Sequence, residues 1–133
     1  MTADPLAYLR AAHAEAEAEA EAAGGDQWAV QEHESDTVAV YDSRREPVVY
    51  DEGAPTPIQK THIAKHSPAA VLRRIAADRK LIAKHAEIDF PYNPDDGPGD
   101  YSWTARCDGC YEDAPCTTLR LIAEGWGWTE ETT

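Results

Sequence analysis

Hydrophobic and polar positions divide the chain into stretches of different period. Asp4-Pro5 reads as an N-cap followed by a first-position proline, and Gly24-Gly25 as a stop, so a helix is predicted between them. Its body, AAHAEAEAEAEAA, alternates with period two. Ala and Glu are nonetheless strong helix formers and poor strand formers, so composition decides for helix. The like-charged pairs Glu15/Glu19 and Glu17/Glu21 fall at i,i+4, and the second half lacks a large apolar face, which predicts a solvated helix. From Trp28 the pattern shortens. WAVQEHE, TVAVYD and PVVYD are β-branched and aromatic, separated by turn-forming Ser35-Asp36 and Ser43-Arg44-Arg45-Glu46. They predict strands over about 28–33, 37–42 and 47–51, joined as an antiparallel meander, with 52–59 as a loop. Ser67-Pro68 opens a helix expected over 68–87, whose Val71, Leu72, Ile75, Ile82 and Ala86 lie on one arc at 100° per residue. Arg79 falls inside that arc, where it would meet a carboxylate or an aromatic ring. Residues 89–102, rich in Asp, Pro and Gly, read as a loop. A short helix over 117–124 follows, and of the two Trp in the closing GWGWTEETT at least one is expected to pack.

The expected fold class is therefore α+β, as one small domain over 1–133. It comprises an acidic helix (1–27), a three-stranded meander (28–59), a basic helical segment (60–88), and a knuckle with a C-terminal helix (89–133). Composition sharpens the energetic problem. Of 133 residues 23 are Ala, whereas Leu, Ile, Val and Phe together number only 19. So low a share with a net charge of -13 approaches the composition of disordered chains, and a core of aliphatic side chains alone is thin. The charge is unevenly placed. The segments 1–27, 28–59, 60–85 and 86–133 sum to -5, -5, +6 and -9. The basic segment is expected to pair with the protein's own acidic segments. An anion or nucleic-acid contact is the less favoured reading, because the acidic remainder would repel a phosphate backbone. No run reaches the roughly 18 apolar residues of a membrane span and no signal-peptide pattern opens the chain, so no membrane partner and a cytoplasmic location are expected.

The chemistry concentrates in three cysteines, Cys107, Cys110 and Cys116, within ten residues. The first two form C-D-G-C, whose glycine permits the sharp reversal that points two sulfurs at one centre. Cys116 follows Pro115 and opens the last helix, whose N-terminus favours a thiolate. Three thiolates leave a tetrahedral zinc one ligand short, and His85, at the end of the basic helix, is the natural fourth. His13, His33, His62 and His66 compete. The last two have helical i,i+4 spacing but precede the Ser67-Pro68 helix start, and read as surface or packing residues. A Cys107–Cys110 redox disulfide and three inert thiols are the alternatives to a structural zinc. Glu112 and Asp113 lie between the ligands, so a small zinc hydrolase is a further alternative. The chain has no HExxH, deaminase, phosphate-loop or nucleophile-elbow motif, and no catalytic residues are assigned.

The stretches YLRAAHAEAEAEAEAAGGDQW, HIAKHSPAAVLRRIAADRKLIAKH, CDGC and PCTTLRLIA, in that order, resemble a domain-of-unknown-function family of short proteins from actinobacteria and their phages. The resemblance covers most of the chain. Its specific parts are the H-I-A-x-H-[DS]-P-A-x-V-L-R helix and the P-C-x-T-L-R block. It places His85, Cys107, Cys110 and Cys116 on the family's metal positions. It implies no activity. Members end in a tyrosine- and His-Pro-containing tail that GWGWTEETT does not match. The function expected from these readings is a non-enzymatic, zinc-stabilised accessory protein with a protein partner. A nucleic-acid-associated regulator or acidic DNA mimic is the alternative.

Overall fold

A computed structural model describes residues 4–34, 36–92 and 102–131. The fold is α+β, with four helices, a three-stranded antiparallel sheet and a two-stranded one among these residues. The chain divides into two compact units, Ala14–Ala76 on one hand and Met1–His13 with Ala77–Thr133 on the other. Both boundaries fall inside helices.

Helix α1 (Pro5–Ala22) begins as its sequence predicts. The Ala7 N–H donates to Asp4 Oδ2 at 3.0 Å, which satisfies one of the amides a helix start leaves open. It stops where Gly24 and Gly25 take φ of 107° and 69°, with the Gly25 N–H donating back to Ala20 O at 2.9 Å. That left-handed exit is nearly free for glycine and strained for other residues.

In the 14–76 unit, β1 (Ala29–Glu32), β2 (Val38–Tyr41) and β3 (Pro47–Val49) form the expected meander. Val30 pairs with Val40 and Val40 with Val49. The β2–β3 turn is held by Asp42, whose Oδ1 accepts from the Arg44 and Glu46 amides at 2.9 and 2.8 Å. Ala39 and Val40 are buried on the central strand.

The loop expected over 52–59 extends only to Thr56. A separate helix, α2 (Pro57–Lys65), starts inside that stretch. Its start is a capping box: Thr56 Oγ1 accepts from the Gln59 N–H at 3.3 Å while Gln59 Oε1 accepts from the Thr56 N–H at 2.8 Å. Helix α2 packs on β1 and β2 and buries Ala64 and Lys60. Lys60 is 1% exposed and donates through Nζ to Asp51 O at 3.2 Å, so this base belongs to the interior and not to a basic face.

Ser67 precedes α3 (Pro68–Lys84), but its buried hydroxyl has no hydrogen-bond partner among the described residues; the start rests on Pro68 and on the Ala69 N–H, which donates to Asp26 O at 3.1 Å. Helix α3 ends at Lys84, three residues earlier than expected, because Glu87 already belongs to a strand.

Asp26 Oδ2 accepts from the Ser43 hydroxyl at 2.6 Å and from its amide at 3.0 Å. These bonds, the hydroxyl's first, hold the carboxyl below its ordinary value of 3.8. A carboxyl whose pKa is depressed by folding contributes stability that is full above its unfolded value and is lost as pH falls through the folded one. Melting temperature should therefore fall with acid below about pH 4, and Ser43→Ala should flatten that part of the curve. An unchanged acid limb in the variant would mean that other carboxylates carry it.

In the other unit, β4 (Glu87–Tyr92) and β5 (Ser102–Cys107) pair antiparallel. This ribbon occupies both ends of the 89–102 stretch predicted as a loop; the remainder of that prediction, 93–101, lies outside the described residues. Helix α4 (Thr117–Gly125) matches its prediction. Trp128, 4% exposed, packs with Leu9 and Ala123, and Tyr8, Ile82, Ile122 and Trp126 border them. One of the two tail tryptophans thus docks fully, as expected. Beside it, the buried His13 contacts Asp78 Oδ2 through Nε2 at 3.0 Å, and Trp126 Nε1–H donates to the same oxygen at 2.7 Å. The His13 and Trp126 rings meet edge to face at 5.0 Å.

Candidate metal centre

Strand pairing assembles the centre. His85 follows the last residue of α3, its amide donating to Leu81 O at 3.0 Å. Two residues later β4 begins, and Glu87 pairs with Cys107 at the end of β5. The ribbon thus returns Cys107 to the residue neighbourhood of His85 across 22 positions of sequence. The Asp108 N–H donates to Ala86 O at 2.8 Å and extends the ladder by one bond.

The chain then reverses through Asp108-Gly109-Cys110. The Tyr111 N–H donates to Cys107 O at 2.9 Å and the Cys107 N–H to Glu112 O at 2.8 Å. Tyr111 takes φ of 61°, a left-handed conformation at a non-glycine residue, and its carbonyl accepts from Arg106 Nη1 at 2.8 Å. Gly109 is required for another reason. A Cβ there would collide with the Lys84 carbonyl oxygen and lie 3.2 Å from His85 Nδ1. The turn is pressed onto the end of α3 at a place where only a hydrogen fits.

Cys116 sits at the N-cap of α4 with extended φ and ψ of -71° and 168° and caps nothing with its sulfur. Glu112 provides the cap instead, its Oε2 accepting from the Thr117 N–H at 2.9 Å. This bond to the Thr117 amide is the main reason the Glu112 carboxyl titrates below its ordinary range. The sulfur of Cys116 is thereby left for the cluster, and the carboxylate is committed to a helix end.

His85 Nδ1 lies 3.2 Å from Cys107 Sγ and 3.5 Å from Cys116 Sγ. With Cys110 Sγ included, the four candidate ligand atoms all fall within 4.8 Å of one another. A tetrahedral zinc with bonds of about 2.3 Å to sulfur and 2.0 Å to nitrogen would set such atoms about 3.5–3.8 Å apart. The spacing therefore fits a single ion with modest adjustment. Cys107 and Cys116 are buried, and Cys110 is the exposed member. Leu119 is buried with the first two, and Leu6, Ile82 and Ile122 pack around them.

Burial pushes the Cys107 thiol up, but hydrogen bonds to its thiolate from the Cys110 amide and thiol, the Gly109 amide and His85 outweigh this and bring it to about 7. Cys110 goes the other way. The Glu112 amide lowers it, and burial and the neighbouring Cys107 and Cys116 sulfurs prevail and raise it to about 11. One sulfur is thus prepared as a thiolate and a neighbour is penalised for becoming a second. That is the electrostatic problem a dication at the centre removes.

The competing histidines are elsewhere. His33 Nε2 contacts the Tyr41 hydroxyl at 3.3 Å, His62 and His66 face each other with ring centroids 4.4 Å apart, and His13 is held by Asp78. Asp113 is exposed, 4.0 Å from Arg106 Nη2. What the sequence did not announce is the supporting structure, namely the Glu87–Cys107 pairing and the Glu112 cap. The E-x-x-x-x-T spacing of that cap gives no recognisable signal.

No helix among the described residues is long and apolar enough to cross a membrane. Searches of curated proteins and of solved structures find no match. The sequence model of a family of unknown function, DUF6221, matches residues 2–127, and the chain therefore belongs to that family.

Proposed function

We propose that the centre is a structural zinc site, Cys107, Cys110 and Cys116 binding as thiolates and His85 through Nδ1. The chain it stabilises is read as a non-enzymatic accessory protein acting through a protein partner in the cytoplasm of an actinobacterium, or of the host if a phage encodes it. The observation that carries the reading is the convergence of three sulfurs and one imidazole nitrogen within 4.8 Å. A Cys₃His set fills all four positions of a tetrahedral zinc, whereas a catalytic zinc keeps one for water. Glu112, two residues after Cys110, is occupied at the start of α4, which argues against its serving as an acid or base. The apolar-poor composition supplies the motive: in small metal-bound domains, metal binding is folding free energy.

The test of the ligand set is a pair of substitutions compared by competitive zinc titration. Losing even a partner of a ligand weakens metal binding by roughly 10–100-fold, so removing a ligand in His85→Ala should cost more than about 100-fold. His62→Ala should leave affinity within a factor of about two, since its ring faces His66 and its nitrogens are not among the four clustered ligand atoms. Equal affinity of His85→Ala and the parent protein would refute the closed site and return water, and with it catalysis, to the fourth position.

A further inference from the structure

Helix α2 and its cap carry two histidines that the sulfur cluster does not use. The His66 N–H donates to His62 O at 3.2 Å, so the two residues stand one helical turn apart on one face. Both are exposed. Their support is firm: the capping box holds the start of α2, and Lys60 and Ala64 bury its underside. Groups carried on a packed helix keep their mutual geometry better than groups on a loop.

The two rings meet with centroids 4.4 Å apart and planes inclined at 44°. That is neither the offset stack nor the edge-to-face pair in which aromatic rings attract each other best, so ring contact alone does not account for it. Two imidazoles bound to one ion at cis positions, about 90° apart on bonds of about 2.0 Å, set their ring centres roughly 4.5 Å apart; a tetrahedral angle sets them roughly 5 Å apart. The observed spacing matches the right angle. Among the described residues, neither ring has a hydrogen-bond or ion-pair partner. The shallow hollow beside His62 is lined by Ala54, Pro55, Ile58, Gln59 and Ile63, which bring no carboxylate to it. Gln59 is committed to the capping box through its Oε1.

Two histidines at i,i+4 on one helix face are the spacing by which a helix supplies two ligands to one metal. Imidazole suits zinc, copper and nickel, and right-angled coordination by nitrogen belongs to copper(II) and nickel(II). Lys65, exposed on the same turn, opposes a cation, while the net charge of -13 favours its approach. We infer that His62 and His66 form a second metal site, a two-nitrogen chelate for a divalent ion of tetragonal preference, nickel or copper, with the remaining positions open to water. Two protein ligands hold an ion less tightly than four, so this site exchanges its ion. The inference stands independently of the zinc reading, since neither imidazole is among the four clustered ligand atoms.

The experiment is a calorimetric titration of the full chain, given one equivalent of zinc beforehand, with nickel chloride. Nickel should bind saturably at one site. Magnesium, which prefers oxygen ligands, should not, and it controls for attraction by the acidic surface alone. His62→Ala and His66→Ala should each weaken nickel binding at least tenfold, while His33→Ala should not change it. The double change His62→Ala/Thr61→His keeps the number of histidines but turns one of them about 100° around the helix. It should bind nickel as weakly as His62→Ala, which a site made of one histidine would not require. Circular dichroism of each variant confirms the fold, and His62→Ala carries the test should a change at the helix cap His66 prove unstable. No saturable nickel binding, equal binding of magnesium, or a loss of less than tenfold in both alanine variants would overturn the assignment.

Discussion

Chelation of the full chain is expected to remove one zinc ion and to loosen residues 84–125 before the β1–β3 sheet. The proposed ligands all lie between His85 and Cys116. They join the end of α3, the end of β5, the knuckle turn and the start of α4, four pieces that share little aliphatic material. The cluster around them is buried Cys107, Cys116 and Leu119, so two of its three fully enclosed side chains are thiols. Without an ion, that cluster must keep a thiolate-prone sulfur and two further thiols packed against an imidazole. Structural zinc contributes on the order of 10 kcal/mol in small metal-bound domains, comparable with the whole stability of an ordinary domain, about 5–15 kcal/mol. Hydrogen exchange should therefore accelerate at the Cys107, Asp108 and Tyr111 amides on chelation, while the Val30–Val40 pairing of the separate sheet changes later. The double substitution Cys107→Ser/Cys110→Ser should reproduce the chelated state and bind no zinc. A preparation shown to be metal-free that melts as the parent does would defeat the expectation.

The parts of this structure that the sequence announces are those with local physical causes. Asp4-Pro5 and Gly24-Gly25 bracket α1 because capping and left-handed exit are properties of a few adjacent residues. The meander follows from three β-rich runs with turn residues between them. The four candidate ligands were legible because cysteine is rare here and histidine is rarer still at a helix end. Helix α2 was equally local: Thr56-Pro57-Ile58-Gln59 carries a capping-box signature, which the prolines around it masked. The β4–β5 ribbon is different. Pro91 in β4 argues against a strand read from sequence, yet both strands of a two-stranded ribbon are edges, where a proline is tolerated. Its register is fixed by long-range pairing, which no local period encodes. The same holds for the His13–Asp78–Trp126 contact, which spans 65 and 48 positions of sequence. His13 looked like any histidine in an Ala/Glu helix; only packing distinguishes it.

Gly109→Ala is expected to be the most damaging glycine-to-alanine change among the described residues. The glycine in C-D-G-C is commonly explained by backbone freedom, but here the determining factor is space. Its Cβ would strike the Lys84 carbonyl and crowd His85 Nδ1, the atom proposed to meet the metal. A backbone carbonyl at a helix end cannot rotate away as a flexible side chain would, so the turn must retreat from α3. The retreat carries Cys107 and Cys110 away from His85 together, because both sulfurs ride on the same reversal. A displacement of this kind acts on the metal geometry as a lost supporting partner does, or worse, so zinc affinity should fall by about 100-fold. Gly53→Ala is the informative control. That glycine has φ of 76° and nothing within 4 Å of an added Cβ. It should cost only the left-handed backbone penalty, about 1–2 kcal/mol, with zinc affinity unchanged. The comparison separates space from backbone strain, since the Gly109 variant suffers from collision and the Gly53 variant from conformation. If Gly109→Ala binds zinc as tightly as the parent, the knuckle is not pressed against α3, and His85 cannot be the ligand this geometry makes it.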